Sequence, residues 1–387
     1  MDLSYTEDHL LLQSSVRRYL HDRYPDSVRA QNAAMAGGFS DSTWRDFAEL
    51  GWLMLPIRGR NGGLGGDPID IYILLEAFGA ALVIEPYIPC ALLGARLIES
   101  LGDEKQRREA LPLAMRGDAL FAFAHDEERH LTGSTELTTT AHCEPDGSWR
   151  ITGTKHMVTG AAAATRVLVS ARTADGVRIF SVAKKTWGVA TKLYRLIDDT
   201  WVGDIVLKDV HVGPHNLLSG GINTHEAILE ALDFATAASC ASMVGVMQFL
   251  LDYTATFVKQ RKQFGASISS FQVIQHRLAD MWTLLEEARG LTLRAFLETH
   301  AASPYRMSAV SAAKIKVGEA ARFIAQQSVQ LQGAMGTTAE APIGAYFKNA
   351  MVFEVSFGNS AYHLSRHVAI LGEQYSKATL ALAAGQE

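Results

Sequence analysis

The apolar residues of this chain follow one period at its two ends and another in its middle. Before about residue 115 and after about residue 223 they recur every three or four positions, as Val16 and Leu20 do, which is typical of amphipathic helices. Between about residues 118 and 215 they alternate with polar residues, and Asp146–Gly147 and Asp175–Gly176 are typical hairpin turns. The chain therefore changes from helical to β and back to helical.

This order predicts a mainly α protein with a central β domain. The predicted domains are an N-terminal helical domain, a middle β-barrel domain and a C-terminal helical bundle, over 1–117, 118–220 and 221–387. Ser40 or Asp41 is suited to cap a helix that begins there. Four long helices joined by short loops are predicted in the last domain, over 223–262, 269–299, 306–333 and 342–372.

Charge and cysteine content narrow the class of protein. A net charge of −5 gives no basic surface of the kind that binds nucleic acid. Three cysteines without a CxxC spacing argue against a disulfide framework and favour a reducing compartment. The uncharged run 234–251 is just long enough to cross a membrane, but its Ser, Thr, Gln and small residues favour a buried helix. We expect a cytoplasmic protein without a membrane span.

Three short motifs could bind a ligand, and each has an ordinary structural alternative. Arg261–Gly265 (RKQFG) places cationic and amide donors where a helix ends, which suits a phosphate but is also common at exposed helix ends. Gly333 and Gly336 would let a backbone approach a ligand, or would simply end a helix. Thr159 could face a ligand from a strand, or belong to an ordinary strand.

Other common active-site patterns are missing from the sequence. The 13 histidines are scattered without HExxH spacing, so no metal site is predicted. There is no GxSxG elbow and no GxGxxG after an N-terminal strand. The Gly-rich segment 61–66 lacks the Lys-Ser/Thr of a P-loop, and we interpret it as a turn between helices.

The motifs together resemble the acyl-CoA dehydrogenase family over nearly the whole chain. The strongest marks are Arg261–Gly265, Phe271–His276 (FQVIQH) and Gln330–Gly336 (QLQGAMG), supported by Lys348–Ala350 and Phe357–Asn359. Within the family, the chain is most similar to the small subunit of pimeloyl-CoA dehydrogenase and related heterotetrameric enzymes. The resemblance implies the helical, β-barrel and four-helix domain order and FAD as the cofactor.

The resemblance also implies a chemistry. A carboxylate removes the α-proton of an acyl-CoA thioester while the β-hydride passes to flavin N5, and electrons leave through electron-transfer flavoprotein. Residues expected to bind FAD by resemblance are Arg261, Gln263 and Phe264 (a neighbouring subunit's cofactor), Gln330, Gly333 and Ala334 (its adenine half) and Thr159 (near N5).

The chain departs from the family where the base is expected. Phe357 occupies the usual position of the base glutamate, and Ala235 occupies the position used by other members. A hydrophobic side chain cannot accept the proton, and general-base catalysis is typically worth ~10²–10⁴-fold in rate. The family's Thr-Glu-Pro motif, which binds flavin and pyrophosphate, falls at 124–132, where Ala124 removes the hydroxyl donor.

Three hypotheses follow. The first is a subunit of an α2β2 assembly that lacks the base and completes a FAD site whose glutamate belongs to a second acyl-CoA dehydrogenase subunit. The second is a self-sufficient homotetramer with a displaced base, for which Glu354 and Glu230 are the nearest candidates by sequence. The third is a non-catalytic scaffold that binds acyl-CoA or flavin.

Overall fold

The protein is described here from a computed structural model. It describes residues 5–35, 37–128, 133–134, 136–218, 223–338 and 341–384, with side chains as far as residue 372. The chain divides into two compact units. The bundle unit comprises Met1–Arg17, Tyr72–Leu82 and Thr236–Glu387, and the sheet unit comprises Arg18–Ile71 and Val83–Ala235. The predicted domain ranges 1–117, 118–220 and 221–387 stay a prediction.

Helices account for most of the described chain, which confirms the predicted mainly α fold class. The α-helices are α1 (Glu7–Arg23), α2 (Asp26–Ala34), α3 (Asp41–Glu49), α4 (Pro68–Ala80), α5 (Ala95–Leu101), α6 (Glu104–Met115), α7 (Thr224–Gln260), α8 (Gln272–Leu297), α9 (Ser303–Gln332), α10 (Ile343–Val355) and α11 (Ser360–Ala384). A π-helix, Tyr87–Gly94, leads directly into α5. Short 3₁₀ turns are formed by Gly59–Asn61, Pro214–Asn216, Ile268–Ser270, Glu298–His300 and Gly333–Thr337.

The middle of the chain forms one seven-stranded half-barrel sheet. Its strands are β1 (Phe121–Ala124), β2 (Thr140–Cys143), β3 (Trp149–Thr159), β4 (Arg166–Thr173), β5 (Gly176–Ala183), β6 (Val189–Arg195) and β7 (Trp201–Val212). The order is β1-β4-β2-β3-β7-β6, and β5 pairs with β4. The pairs β1–β4 and β2–β4 are parallel and the others antiparallel. Both predicted hairpin turns are confirmed, since they join β2 to β3 and β4 to β5.

Local sequence signals explain several helix boundaries. Ser40 caps α3, because its hydroxyl accepts a hydrogen bond from the Thr43 N–H, as predicted. Asp103 and Gln106 form a reciprocal capping box at the start of α6. Asn223 precedes α7, and its side-chain oxygen accepts the His225 N–H at 3.0 Å. The sequence thus fixes where these helices begin.

The apolar run predicted as a buried helix lies within α7. This helix is long and apolar enough to cross a membrane, but 83% of its most apolar window is buried inside the protein. In the bundle unit, α4 and α7 approach closely at Gly79 and Gly245. A Cβ atom on Gly79 would lie 1.7 Å from the Ser242 carbonyl oxygen, so only glycine allows this approach. The interpretation as a core helix is therefore supported.

One predicted helix is broken in two. The range 342–372 was expected to be continuous, but α10 ends at Val355 and α11 begins at Ser360. The expectation was wrong because Phe357 and Gly358 both have positive φ, of 55° and 93°, which no α-helix accommodates. The break creates the loop that presents the residue in the usual base position.

Candidate functional site

The loop between α10 and α11 carries Phe357, and its conformation is fixed by α11. Phe357 is half-buried and lies in the left-handed region, which is uncommon for a bulky residue. Its carbonyl oxygen lies 3.0 Å from Nε2 of His363. Since a carbonyl can only accept, Nε2 must carry the proton. The residue that replaces the base therefore sits in a well-defined loop.

His363 is almost entirely buried and connects this loop to α9. Its Nδ1 lies 3.2 Å from the Ser311 hydroxyl, which completes the hydrogen bonding of a neutral imidazole. Burial lowers the pKa of His363 to about 4, against the opposing effect of its hydrogen bond to Phe357. His363 is thus neutral at physiological pH, with one ring nitrogen donating and the other accepting.

Glu354, the predicted alternative base, has a structural role in the same loop. Its two carboxylate oxygens accept hydrogen bonds from the N–H and the hydroxyl of Ser360, each at 3.0 Å. A carboxylate at this place accepts a hydrogen bond from an otherwise unpaired N–H group in the first turn of α11. Its negative charge also interacts favourably with the helix dipole. Across from it, a Cβ atom on Gly318 of α9 would lie 2.7 Å from Oε2, so the carboxylate packs closely against the glycine of α9. Glu354 therefore acts as a helix cap.

A lysine that the sequence analysis missed is buried beside this loop. Lys314 is fully buried on α9, where its ammonium group donates to the Phe353 carbonyl and lies 3.5 Å from the centre of the Phe353 ring. Burial lowers its pKa to about 8, with Cys240 and Glu354 acting in the opposite direction. A lysine on an apolar helix face gives no sequence signal that separates this cation from a surface one.

The other position used for the base is occupied by a completely buried methyl group. Ala235 lies on α7 and is fully buried. Glu230, five residues earlier on the same helix, is paired with Arg96 at 2.7 Å, and the Arg96 guanidinium lies 4.4 Å from the centre of the Phe234 ring. Neither the alanine nor the paired glutamate offers a free carboxylate.

The RKQFG motif forms an exposed hairpin after α7. Strands β8 (Lys262–Gln263) and β9 (Ala266–Ser267) pair across Phe264 and Gly265, whose φ values of 54° and 77° make the turn. Phe264 is 92% exposed, and Arg261 and Gln263 are exposed as well. Within the part of the chain that the structure describes, Arg261 forms no ion pair. The hairpin presents a cation, an amide and an aromatic ring to solvent.

The second predicted FAD-binding group lies where α9 ends. Gln330, Gly333 and Ala334 are all exposed, and Gly333 has a φ of 59°, which ends the helix. This group and the Arg261 hairpin lie on separate loops of the bundle unit. Their assignment to FAD stays a prediction.

Thr159 ends β3 beyond a bulge in the sheet unit. The pairing of β3 with β7 shifts between Lys155 and Val158, and Thr159 resumes the register opposite Val202. Within the bulge, the Met157 N–H donates to the Asp204 carboxylate at 3.2 Å. Thr159 is half-buried. It is the last residue of β3, a strand whose direction the bulge changes.

The strand that aligns with the Thr-Glu-Pro motif carries a different, buried network. Ala124, at the start of the 124–132 segment, is fully buried. Residues 129–132 of that segment lie outside the described residues. The ammonium group of Lys155 donates to the Glu127 carboxylate at 2.8 Å and to the His125 carbonyl at 3.0 Å. Burial alone would raise the pKa of Glu127, but hydrogen bonds from Lys155, Thr138 and Thr139 hold it well below its usual range.

His125 completes this network without being fully satisfied. Its Nδ1 lies 2.8 Å from the Ser170 hydroxyl, while Nε2 is buried with no hydrogen-bond partner among the described residues. Burial, reinforced by the charge of Lys155, lowers the pKa of His125 to about 3. This network could not be predicted from local patterns, because its members are far apart along the chain.

The sheet unit also contains a cavity of about 380 Å³ that the sequence analysis missed. Among its lining residues are Arg172, Arg178 and His225, together with the first residues of α7, and one acidic residue, Asp175. Arginine side chains and a helix N-terminus both favour anions. The cavity suits a phosphorylated ligand.

Comparisons with known proteins agree on one family. The descriptions "Acyl-CoA dehydrogenase, N-terminal domain" and "Acyl-CoA dehydrogenase, C-terminal domain" match residues 6–118 and 225–371. Probable acyl-CoA dehydrogenase YngJ of Bacillus subtilis is 30% identical over 372 residues, covering 93% of this chain and 97% of YngJ.

Two solved structures have the same fold. A variant of the Tcur3481-Tcur3483 steroid ACAD has a TM-score of 0.85 at 26% identity, and the ChsE4-ChsE5 complex from Mycobacterium tuberculosis has 0.87 at 24%. Each comparison covers 96% of this chain and 99% of the other. This chain belongs to the acyl-CoA dehydrogenase family, whose members are FAD-binding oxidoreductases that act on CH–CH groups.

Proposed function

We propose that this chain is the subunit without the base glutamate in an α2β2 acyl-CoA dehydrogenase, similar to the small subunit of pimeloyl-CoA dehydrogenase. The observation that carries the proposal is Phe357. The loop that holds it is defined by His363 and by the cap of α11, yet its side chain is a phenyl ring. The reaction removes an α-proton from a thioester, so a second subunit must supply the carboxylate.

The two carboxylates considered as a displaced base are already engaged. Both oxygens of Glu354 accept hydrogen bonds from Ser360, and Glu230 is paired with Arg96. A base must be free to approach the substrate carbon and to accept its proton. Neither carboxylate meets that requirement without losing its present partner, which supports a base from another polypeptide.

The exposed hairpin supports a contribution to a cofactor held by a neighbouring subunit. The guanidinium of Arg261 has no ion-pair partner among the described residues and matches a diphosphate in charge and geometry, and Gln263 adds an amide donor. Phe264 offers an exposed ring for a planar group. These residues fit FAD, which, when bound, accepts the hydride from the β-carbon of the acyl chain.

The cationic cavity supports acyl-CoA as the substrate. Arg172, Arg178 and His225 would bind the phosphates of coenzyme A through their side chains. Because all the residues named at this cavity belong to this chain, we expect the chain to bind an acyl-CoA thioester itself.

The related structures support a two-component assembly. Two of them are described as a Tcur3481-Tcur3483 steroid ACAD and a ChsE4-ChsE5 complex. By analogy, this chain would pair with a second acyl-CoA dehydrogenase subunit in the cytoplasm and pass electrons to electron-transfer flavoprotein. The acyl group would be a fatty, dicarboxylic or steroid side chain.

Co-expression with a second acyl-CoA dehydrogenase subunit that retains the base glutamate tests the proposal. We expect a stable complex in which FAD is bound at half the number of protomers and acyl-CoA is oxidised. Arg261→Ala in this chain should lower the flavin content of the complex, while Lys259→Ala, which removes an exposed cation two residues earlier, should not.

Two results would contradict the proposal. One is a full flavin load with rapid acyl-CoA oxidation by this chain alone, which would favour a self-sufficient homotetramer. The other is a flavin-bound complex in which acyl-CoA never reduces the flavin under anaerobic conditions, which would favour a scaffold.

A further inference from the structure

Strand β3 contains a bulge just before Thr159. Between Lys155 and Val158, two residues of β3 lie opposite the single residue Asp204 of β7. One of the two, Met157, has a φ of 50°, a left-handed conformation that is uncommon for a side chain of this size. A conformation of this kind persists only where the surrounding structure stabilises it.

The bulge decides which side chains of β3 face the core of the sheet. Successive side chains of a strand point to opposite faces, so without the extra residue Lys155 and Val158 would lie on opposite faces. In the structure both are buried, and Val158 and Ile205, the partner of Lys155, belong to the same apolar core. Thr159, the next residue, therefore faces away from that core. It is half-buried, and its hydroxyl has no hydrogen-bond partner among the described residues, which leaves it available to a ligand.

Asp204 stabilises the bulge with one carboxylate oxygen. Its Oδ1 accepts hydrogen bonds from the N–H of Met157 at 3.2 Å and from the hydroxyl of Tyr194 at 2.9 Å. Nδ1 of His156 lies 3.3 Å from the same oxygen, and the N–H of His156 donates to the Asp126 carbonyl at 2.9 Å. Burial alone would raise the pKa of Asp204, but the hydrogen bonds from Met157 and Tyr194 lower it. An ionised carboxylate is therefore bonded to the backbone of the bulge.

We propose that Asp204 is a positioning residue for flavin binding. By stabilising the bulge, it keeps the Thr159 hydroxyl on the face of the sheet opposite the core, where it would donate to the isoalloxazine ring of FAD. The resemblance assigns Thr159 to FAD, and the structure adds the carboxylate that orients it. The inference goes beyond the proposed function, because it holds whether the base belongs to this chain or to a second subunit.

A second irregularity in the same pair of strands provides a matched control. The pairing of β3 with β7 also shifts between Ile151 and Gly153, and nearby the Arg150 side chain donates to the Asp209 carboxylate at 2.7 Å. Arg150→Ala removes this contact and leaves Asp204 untouched. At the bulge itself, Asp204→Asn removes the charge but keeps Oδ1 as an acceptor, whereas Asp204→Ala removes both. The two substitutions separate the position of the bulge from the charge beside it.

The test measures FAD binding by the full chain, purified with any second subunit that accompanies it, stripped of flavin and titrated with FAD. We expect Asp204→Ala to weaken binding about tenfold and to move the absorption bands of the bound flavin towards those of free FAD. Asp204→Asn and Arg150→Ala should stay within about twofold of the wild type. Thr159→Val should weaken binding as much as Asp204→Ala, and the two together no more than either alone. Tyr194→Phe, which removes one donor to Asp204, should weaken binding about threefold and serves as the test if Asp204→Ala does not fold.

Hydrogen–deuterium exchange of the flavin-free protein gives a second measurement that does not depend on FAD. Asp204→Ala should raise exchange in the peptide that spans residues 154–161, and Arg150→Ala should not. Equal weakening of FAD binding by Asp204→Asn and Asp204→Ala would assign the effect to charge, and additive losses with Thr159→Val would show that Asp204 acts independently of Thr159. Either result would overturn the inference. Unchanged FAD affinity in Thr159→Val would also overturn it, since the flavin would then lie away from this face, and the proposed source of the base would still stand.

Discussion

Substitution of Glu354 distinguishes its two possible roles. If Glu354 is a helix cap, its loss lowers stability, and if it is the catalytic base, its loss lowers turnover. Glu354→Ala removes both hydrogen bonds to Ser360. Loss of an N-terminal cap costs about 0.5–2 kcal/mol, and loss of a negative charge beside a helix N-terminus costs a further 0.3–1 kcal/mol or so. We therefore expect the free energy of unfolding to fall by about 1–3 kcal/mol. Glu354→Gln keeps one acceptor oxygen and should cost about 1 kcal/mol.

The assay combines urea unfolding with turnover of the assembled enzyme. Ser360→Ala removes the hydroxyl partner, so a double-mutant cycle with Glu354→Ala should give a coupling energy of about 0.5–1.5 kcal/mol. Turnover per correctly folded complex should change less than twofold in Glu354→Gln. Unchanged stability together with a 10²-fold or greater loss of turnover would identify Glu354 as the base and refute this reasoning.

Three further predictions concern the loop and the buried network. Phe357→Glu in the assembled enzyme should change the rate of anaerobic flavin reduction by acyl-CoA less than twofold, as should Phe357→Gln, because the proposed flavin site already takes its carboxylate from the second subunit; a ~10²–10⁴-fold acceleration in Phe357→Glu alone would contradict that division of roles. Lys155→Met should lower the free energy of unfolding by about 3–5 kcal/mol in urea, because it leaves Glu127 buried and unpaired, and adding Glu127→Leu should recover part of the loss; additive losses would contradict this. His363 has a pKa near 4 when folded and about 6.5 when unfolded, so the unfolded state binds more protons in that range and the protein loses stability as the pH falls through it. The difference in free energy of unfolding between wild type and His363→Gln should therefore shrink from pH 7 to pH 4. A pH-independent difference would exclude this linkage.

The sequence predicted what depends on local patterns. Periodicity identified the helical, β and helical order, the hairpin turns and the core helix α7, because each is specified by residues close together in the chain. The cap at Ser40 could be predicted for the same reason, because it depends only on the residues at the start of α3. The resemblance placed Phe357 and Ala235 at the positions where a base is expected, which composition could not have done.

The parts that the sequence did not predict depend on contacts between distant segments. The run 342–372 has the apolar period of one helix, and a single Gly358 is a weak breaker; the break becomes clear only when His363 and Glu354 are seen to stabilise the loop. Lys155 looked like an ordinary polar residue of a strand, since its partner Glu127 lies on another segment. The cationic cavity likewise joins the β4–β5 hairpin to the start of α7.

The left-handed backbone at Phe357 has a consequence for how the chain could change over time. A bulky residue in this region costs about 1–3 kcal/mol, which the two flanking helices must offset. Because the backbone shape is maintained by α11 and not by the side chain at that position, any residue introduced there inherits the same orientation. A single substitution at position 357 would therefore place a carboxylate in this loop without rebuilding the surrounding architecture.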